Sequence, residues 1–199
     1  MPKFPEIILA SQSPRRREIL EKSGIAFRIQ PADTEETFPE GMDVHEIPVH
    51  IARGKAAAVR DHATPGEWIL ASDTVVTVEH AGKDILLAKP GDAMDAVRML
   101  RLLSGRKHRV ITGVVFSKAD AVGQEIAFSE TTWVYFRDLS EADISWYVER
   151  YQPYDKAGAY AIQEGIGMRA IDRIEGCYYN VVGLPMPRLY QMMLERFSV

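Results

Sequence analysis

Apolar positions come in two rhythms along this chain, and together they predict most of its elements. Residues 6–10 (EIILA) form a short continuous apolar run, the pattern of a buried strand. Ser13 then offers a helix N-cap and Pro14 suits the first helical position, so a helix is expected to about Ser23, with Gly24 as its stop. "IAFRIQPA" reads as a second strand, "DTEETFPEGMD" as an acidic loop, and 45–61 as an amphipathic helix despite Pro48 near its start. "EWILASDTVVTV" predicts a strand with an internal break, and "HAGKD" turns it back into "ILLA" as a hairpin. Asp92 is placed to cap a helix through Leu103, which "SG" ends. "HRVITGVVF" and "SETTWVYFR" are β-rich, with the polar segment between them expected as a hairpin loop. "SEADISWYVER" begins like a capped helix, and 186–197 reads as a closing one. Between these last two, 151–185 holds seven glycine and proline residues with little periodicity and is expected to be loop-rich.

Alternating helices and strands with inserted hairpins predict a mixed α/β sheet. No repeat, linker or low-complexity tract breaks the chain, and 199 residues fit one domain spanning 1–199, or one domain with a small lobe. Composition changes this picture little. A net charge of −4 supplies no global basic field, so nucleic-acid binding is not expected and any arginine cluster must act locally. No stretch has the length of a membrane span, and no membrane role is expected. The single cysteine, Cys177, excludes an intramolecular disulfide and a cysteine-based metal cage, which fits a cytoplasmic setting.

Some charged residues sit where the pattern does not want them. Arg15, Arg16 and Arg17 crowd a helix start, where cations oppose the macrodipole and backbone amides favour an anion. Arg15 and Arg16 lie four residues before Ile19 and Leu20 and so approach the apolar stripe, whereas Arg17 lies four before Glu21 and reads as solvated. A phosphate bound beside them, with the hydroxyls of Ser11 and Ser13, explains the placement; an exposed basic turn is the plainer alternative. Lys55 falls on the helical face marked by Ile47, Ile51 and Val59, where a lysine either snorkels outward or points into a cleft. Asp73 lies among small and apolar neighbours, and a buried carboxylate there needs a cation, a metal or hydrogen bonds. Glu35 and Glu36 could complete a hard-cation site with it, since Mg²⁺ takes one or two carboxylates plus substrate phosphates. Lys89 and Lys156 read as ordinary surface residues. "HEIPVH" has the wrong spacing for a zinc helix, "GIGMRA" lacks the third glycine of a dinucleotide loop, and neither a Walker-type loop nor a nucleophile elbow is present.

"SQSPRRREIL", "SDTVV", "AKP", "LSGRKHRVITGV", "DKAGAYAIQ" and "NVVGLP" occur in the order seen in Maf-like proteins, which this chain resembles from about residue 7 to its final helix. The resemblance implies a nucleoside triphosphate pyrophosphatase, linked to septum formation, with a mixed elongated sheet and flanking helices in two lobes around a cleft, like the inosine triphosphate pyrophosphatases, and often dimeric. It implies cleavage of the triphosphate to monophosphate and diphosphate with a divalent cation, Mg²⁺ or Mn²⁺. By motif, Asp73 matches the general base, and Arg15, Thr74 and Gln163 match positions that set substrate choice. Ser11, Ser13, Arg16, Glu36, Lys55, Lys89 and Lys156 align with other polar cleft positions, with Asp73 and Glu36 as metal ligands and the rest on phosphate. The form "DKAGAYAIQ" resembles the branch acting on dTTP and UTP rather than that acting on 7-methyl-GTP. Two other expectations compete with it: a non-catalytic nucleotide sensor regulating division, and an enzyme of the same fold that removes modified nucleotides.

Overall fold

The computed structural model describes residues 4–121 and 125–197; the middle of the expected loop between the two β-rich segments lies outside them. The elements in chain order are β1 (Ile7–Leu9), α1 (Pro14–Ser23), β2 (Phe27–Ile29), α2 (Ile47–Arg60), β3 (Trp68–His80), β4 (Lys83–Leu87), α3 (Ala93–Leu103), β5 (Lys107–Lys118), β6 (Glu125–Phe136), α4 (Glu141–Tyr151), a single turn at Ala157–Ala159, α5 (Gly165–Ala170), β7 (Ile171–Glu175), α6 (Tyr178–Val182) and α7 (Met186–Phe197). The strands form one mixed sheet in the order β2-β1-β3-β5-β6-β7, with β4 also paired to β3. β1 runs parallel to both β2 and β3, pairing Ile8 with Arg28 and with Ile69. β4 is antiparallel to β3, and β7 to β6. The expected mixed α/β sheet with flanking helices is what the chain forms.

Local chemistry explains most boundaries. Gly24 ends α1 at φ 72°, a left-handed geometry that costs glycine little. The Asp92 carboxylate accepts from the Asp95 amide at the start of α3. Ser140 and Asp143 form a reciprocal capping box on α4. Pro48 sits in the first turn of α2, where its missing N–H is harmless. Three expectations need correction. Ser13 occupies the N-cap position of α1, but its side chain makes no capping bond there; its backbone N–H donates to Ser11 Oγ instead, at 3.2 Å. β3 runs unbroken through Asp73, because that carboxylate is neutralised where it lies. The segment 151–185 contains α5, β7 and α6, elements of five or six residues that are too short to show a period.

Two compact units emerge, each with its own core. The first comprises the chain up to Asp73, Thr112–Glu130 and the chain from Gly183; the second comprises Thr74–Ile111 and Thr131–Val182. In the first, Val49, Ala52, Ala56 and Val59 of α2 pack with Ile69 and Ala71 of β3, Ile8 and Ala10, and Val115 of β5. Gly113 permits the approach of α2, since a Cβ there would lie 2.3 Å from the Pro48 carbonyl carbon and the Val49 nitrogen. In the second, Val76 and Val78 pack with Met99, Leu100 and Leu103 of α3, Ile144, Tyr147 and Val148 of α4, and Tyr160. No helix among the described residues is long and apolar enough to cross a membrane.

Candidate active site

Side-chain alternation carries Asp73 onto the α2 side of β3. Ile69 and Ala71 face α2, and Asp73 is the next residue in the same alternation. On the helix, Lys55 lies three residues after Ala52 and four before Val59, on the packed stripe. The two meet. Lys55 Nζ donates to Asp73 Oδ1 at 2.6 Å and to Glu36 Oε1, from the acidic loop, at 2.8 Å. Asp73 is 6% exposed and Lys55 9%. The buried ammonium therefore neither snorkels nor goes unpaired; it offsets the cost of burying the Asp73 carboxylate.

The β1–α1 turn belongs to the same unit. Arg16 is buried; its Nε donates to the Gly183 carbonyl at 2.8 Å and its Nη1 to Ser11 Oγ at 3.2 Å. Burial pulls its pKa below the ordinary guanidinium value; Asp73 opposes that, Arg15 adds to it and Glu36 opposes it again. Arg16 thus senses both carboxylates while anchoring α1 to the start of the C-terminal segment. Arg15 and Ser13 are partly exposed at the same helix start. Arg17 is exposed and pairs with Glu21 at 2.6 Å, as its spacing predicts.

The second unit holds Thr74, Lys89, Lys156 and Gln163. Lys156 is buried, not an ordinary surface residue: its Nζ lies 2.7 Å from Asp155 Oδ1 and 3.5 Å from Glu164 Oε1. Glu164 in turn accepts from the Tyr147 hydroxyl at 3.2 Å. Sequence reasoning missed Glu164 and Tyr147, and no periodic signal marked either. Lys89 is exposed, one residue beyond Ala88, whose carbonyl accepts from the Gly158 amide at 3.2 Å. Thr74 is partly exposed. Gln163 is half-buried, and its Oε1 is shut from solvent without a hydrogen-bond partner.

The donor set suits a hard divalent cation. Asp73 and Glu36 offer carboxylate oxygens around one point, and a cation, the Lys55 ammonium, already stands there. No group of three or more His, Cys, Asp or Glu side chains converges among the described residues. A metal on Asp73 and Glu36 would complete its shell with water and phosphate, the habit of Mg²⁺.

An arginine-headed helix start, a buried acid and a lysine between two carboxylates thus fall in the same compact unit. The chain matches the model of the family described as "Maf-like protein" over residues 6–196 and belongs to that family. It is 46% identical to a dTTP/UTP pyrophosphatase of Porphyromonas gingivalis, over 96% of this chain and 94% of that one. It is 48% identical to a dTTP/UTP pyrophosphatase of Anaeromyxobacter dehalogenans, over 92% and 89%. A solved HAM1 protein from Coxiella burnetii aligns over 98% of this chain and 99% of its own at 17% identity, with a TM-score of 0.48.

Proposed function

We propose that this protein hydrolyses dTTP and UTP to the nucleoside monophosphate and diphosphate. The observation that carries the reading is the buried Asp73 carboxylate, held with Glu36 on one ammonium beside the Arg16 anchor. Relatives of 46% and 48% identity that bear this activity as their name support it. Water attacks the α-phosphorus, a new P–O bond forms, and the bond to the bridging oxygen breaks with its electron pair leaving on diphosphate. Asp73 accepts the proton of the attacking water and later passes it to solvent. Asp73 and Glu36 would hold a Mg²⁺ or Mn²⁺, whose chemistry is to offset phosphate charge and favour water ionisation. Ser11, Ser13 and Arg16, with the α1 amides, take the phosphate tail; Lys55, Lys89 and Lys156 neutralise charge on phosphoryl oxygens.

Base choice falls to Arg15, Thr74 and Gln163. The buried Gln163 Oε1 is an acceptor that a donor would satisfy, and thymine and uracil present N3–H between two carbonyls. Cytosine lacks that donor. We assign the protein to the cytoplasm, where these nucleotide pools lie, and to a homodimer on family grounds.

The test is a panel of dTTP, UTP, 5-methyl-UTP, pseudo-UTP, CTP and 7-methyl-GTP, with diphosphate release measured in the presence of Mg²⁺ or Mn²⁺. Turnover should favour dTTP and UTP, and Asp73→Asn should lower kcat by about 10²–10⁴-fold while a cooperative thermal transition shows that the variant is folded. Nucleotide binding without diphosphate release would instead identify a sensor, and preference for 7-methyl-GTP or a modified pyrimidine would reassign the substrate.

A further inference from the structure

The Lys55 ammonium occupies the place where the Asp73 and Glu36 carboxylates converge, 2.6 Å from one and 2.8 Å from the other. These are the donors assigned above to a divalent cation, so lysine and metal compete for the same oxygens. The surrounding charge sharpens that competition. Arg16, buried, interacts with Arg15 as well as with both carboxylates, so guanidinium groups as well as the ammonium act on this place. A dication entering alone meets those cations in a region where water screens like charges poorly. A polyphosphate reverses the balance. It brings oxygens that an ammonium can follow, and the four-carbon stem of Lys55 swings without any backbone movement.

We propose that Lys55 is an internal counter-cation that keeps a divalent metal off Asp73 and Glu36 until a polyphosphate draws its ammonium away. Metal and nucleotide then bind with strong positive coupling, and neither carboxylate is left unpaired in the ligand-free protein. The inference rests on the reading of Asp73 and Glu36 as metal ligands. It differs from a purely structural ion pair in the coupling. Removing any ammonium from beside these carboxylates raises metal affinity, but only a lysine that polyphosphate displaces takes part of the metal–nucleotide coupling with it, so variants whose coupling equals that of the wild type overturn the proposal.

Mn²⁺ is titrated against the full chain, with free Mn²⁺ followed by electron paramagnetic resonance. Each titration is run with and without a UTP analogue carrying a methylene α,β-bridge, correcting for Mn²⁺ held by the analogue itself. In the wild type, the analogue should raise Mn²⁺ affinity by about tenfold or more. Lys55→Met and Lys55→Gln, each checked for an intact thermal transition, should bind Mn²⁺ about tenfold tighter than wild type without analogue and show a smaller coupling than wild type, the remainder coming from phosphate oxygens on the metal. Variants that bind Mn²⁺ no tighter than wild type overturn the proposal, and so does a wild type without coupling, whatever the variants do. A wild type that binds no Mn²⁺ even with the analogue overturns the metal reading itself, a separate and recognisable outcome.

Discussion

Each unit buries a lysine against two carboxylates, yet the two clusters are built differently. Around Lys55 the closer partner, Asp73, is as enclosed as the lysine, with side chains 9% and 11% exposed. Around Lys156 the carboxylates stay near solvent: Asp155 is 58% exposed and Glu164 30%. The first cluster also sits beside buried Arg16, whereas the second unit's other buried polar residues are Thr77, His108, Thr132 and Asn180. Fixed charge is thus concentrated in the first unit, and the second keeps its interior close to neutral. Burial decides what each lysine can do. An enclosed carboxylate cannot exchange its partner for water, so Lys55 can leave Asp73 only when another cation takes its place, while Lys156 leaves solvated carboxylates at small cost.

The neutrality of the second unit has the largest measurable consequence. His108 is fully buried, with Nε2 2.7 Å from the Tyr160 hydroxyl. Burial pushes its pKa from 6.5 down to about 3. The unfolded chain therefore binds a proton that the folded chain refuses as pH falls below 6.5. This residue's contribution to stability is complete above that pH and drains away as pH drops toward 3, by up to about 1.4 kcal/mol per unit. His108→Gln keeps a polar partner for Tyr160 and cannot titrate. The difference in urea midpoint between wild type and variant should shift steadily in the variant's favour from neutral pH to pH 4.5. A pH-independent difference would mean that the second unit tolerates charge after all.

Lys156 provides the next test. Its loss should lower kcat/KM for UTP by roughly ten- to hundredfold, the scale of a charged hydrogen bond, and mainly through KM if it grips phosphate before and during reaction alike. Lys156→Met is the variant, and steady-state kinetics give the split. An effect larger than that of Lys55→Met would reverse the ranking drawn from burial.

The same contrast explains which parts of the molecule were legible in sequence. Helix ends announced themselves through Gly24, Asp92 and Ser140, because caps act within a few residues. Asp73 and Lys55 stood out because each broke an apolar pattern, but their pairing spans 18 residues and no local rule links them. The internal break that the local pattern predicts in this strand is absent, since β3 is continuous from Trp68 to His80. Lys156 showed no such misfit: its neighbours are glycine, alanine and aspartate in an aperiodic stretch, and its burial depends on Glu164 and on the fold of 151–185. The sheet class followed from alternation, whereas the short α5, β7 and α6 are held by tertiary packing rather than by a period.

Gly113 probes what positions Lys55. Any Cβ there meets the backbone of Pro48 and Val49, which cannot rotate away as a side chain would. Gly113→Ala should destabilise the protein by about 1–3 kcal/mol and lower its thermal midpoint by several degrees. It should also disturb the Lys55–Asp73 contact, because α2 must shift. A variant with unchanged activity and midpoint would show that α2 has slack, and that the first unit is less tightly built than its enclosed ion pair implies.

The smallest effect belongs to Arg17, and its smallness separates the three arginines. Arg16 is buried on the Gly183 carbonyl and Ser11, while Arg17 points to solvent and pairs only across one helical turn with Glu21, their side chains 58% and 48% exposed. An exposed pair of this kind contributes about 0.3–0.5 kcal/mol, and salt screens it. Arg17→Ala should therefore shift the thermal midpoint by about a degree and leave kcat and KM for UTP unchanged. Arg16→Ala, by contrast, leaves the Gly183 carbonyl without its donor and removes a cation from beside Asp73. If Arg17→Ala weakened UTP binding, the triphosphate would have to reach the outer face of α1, and burial would no longer distinguish the arginines that handle phosphate from the one that does not.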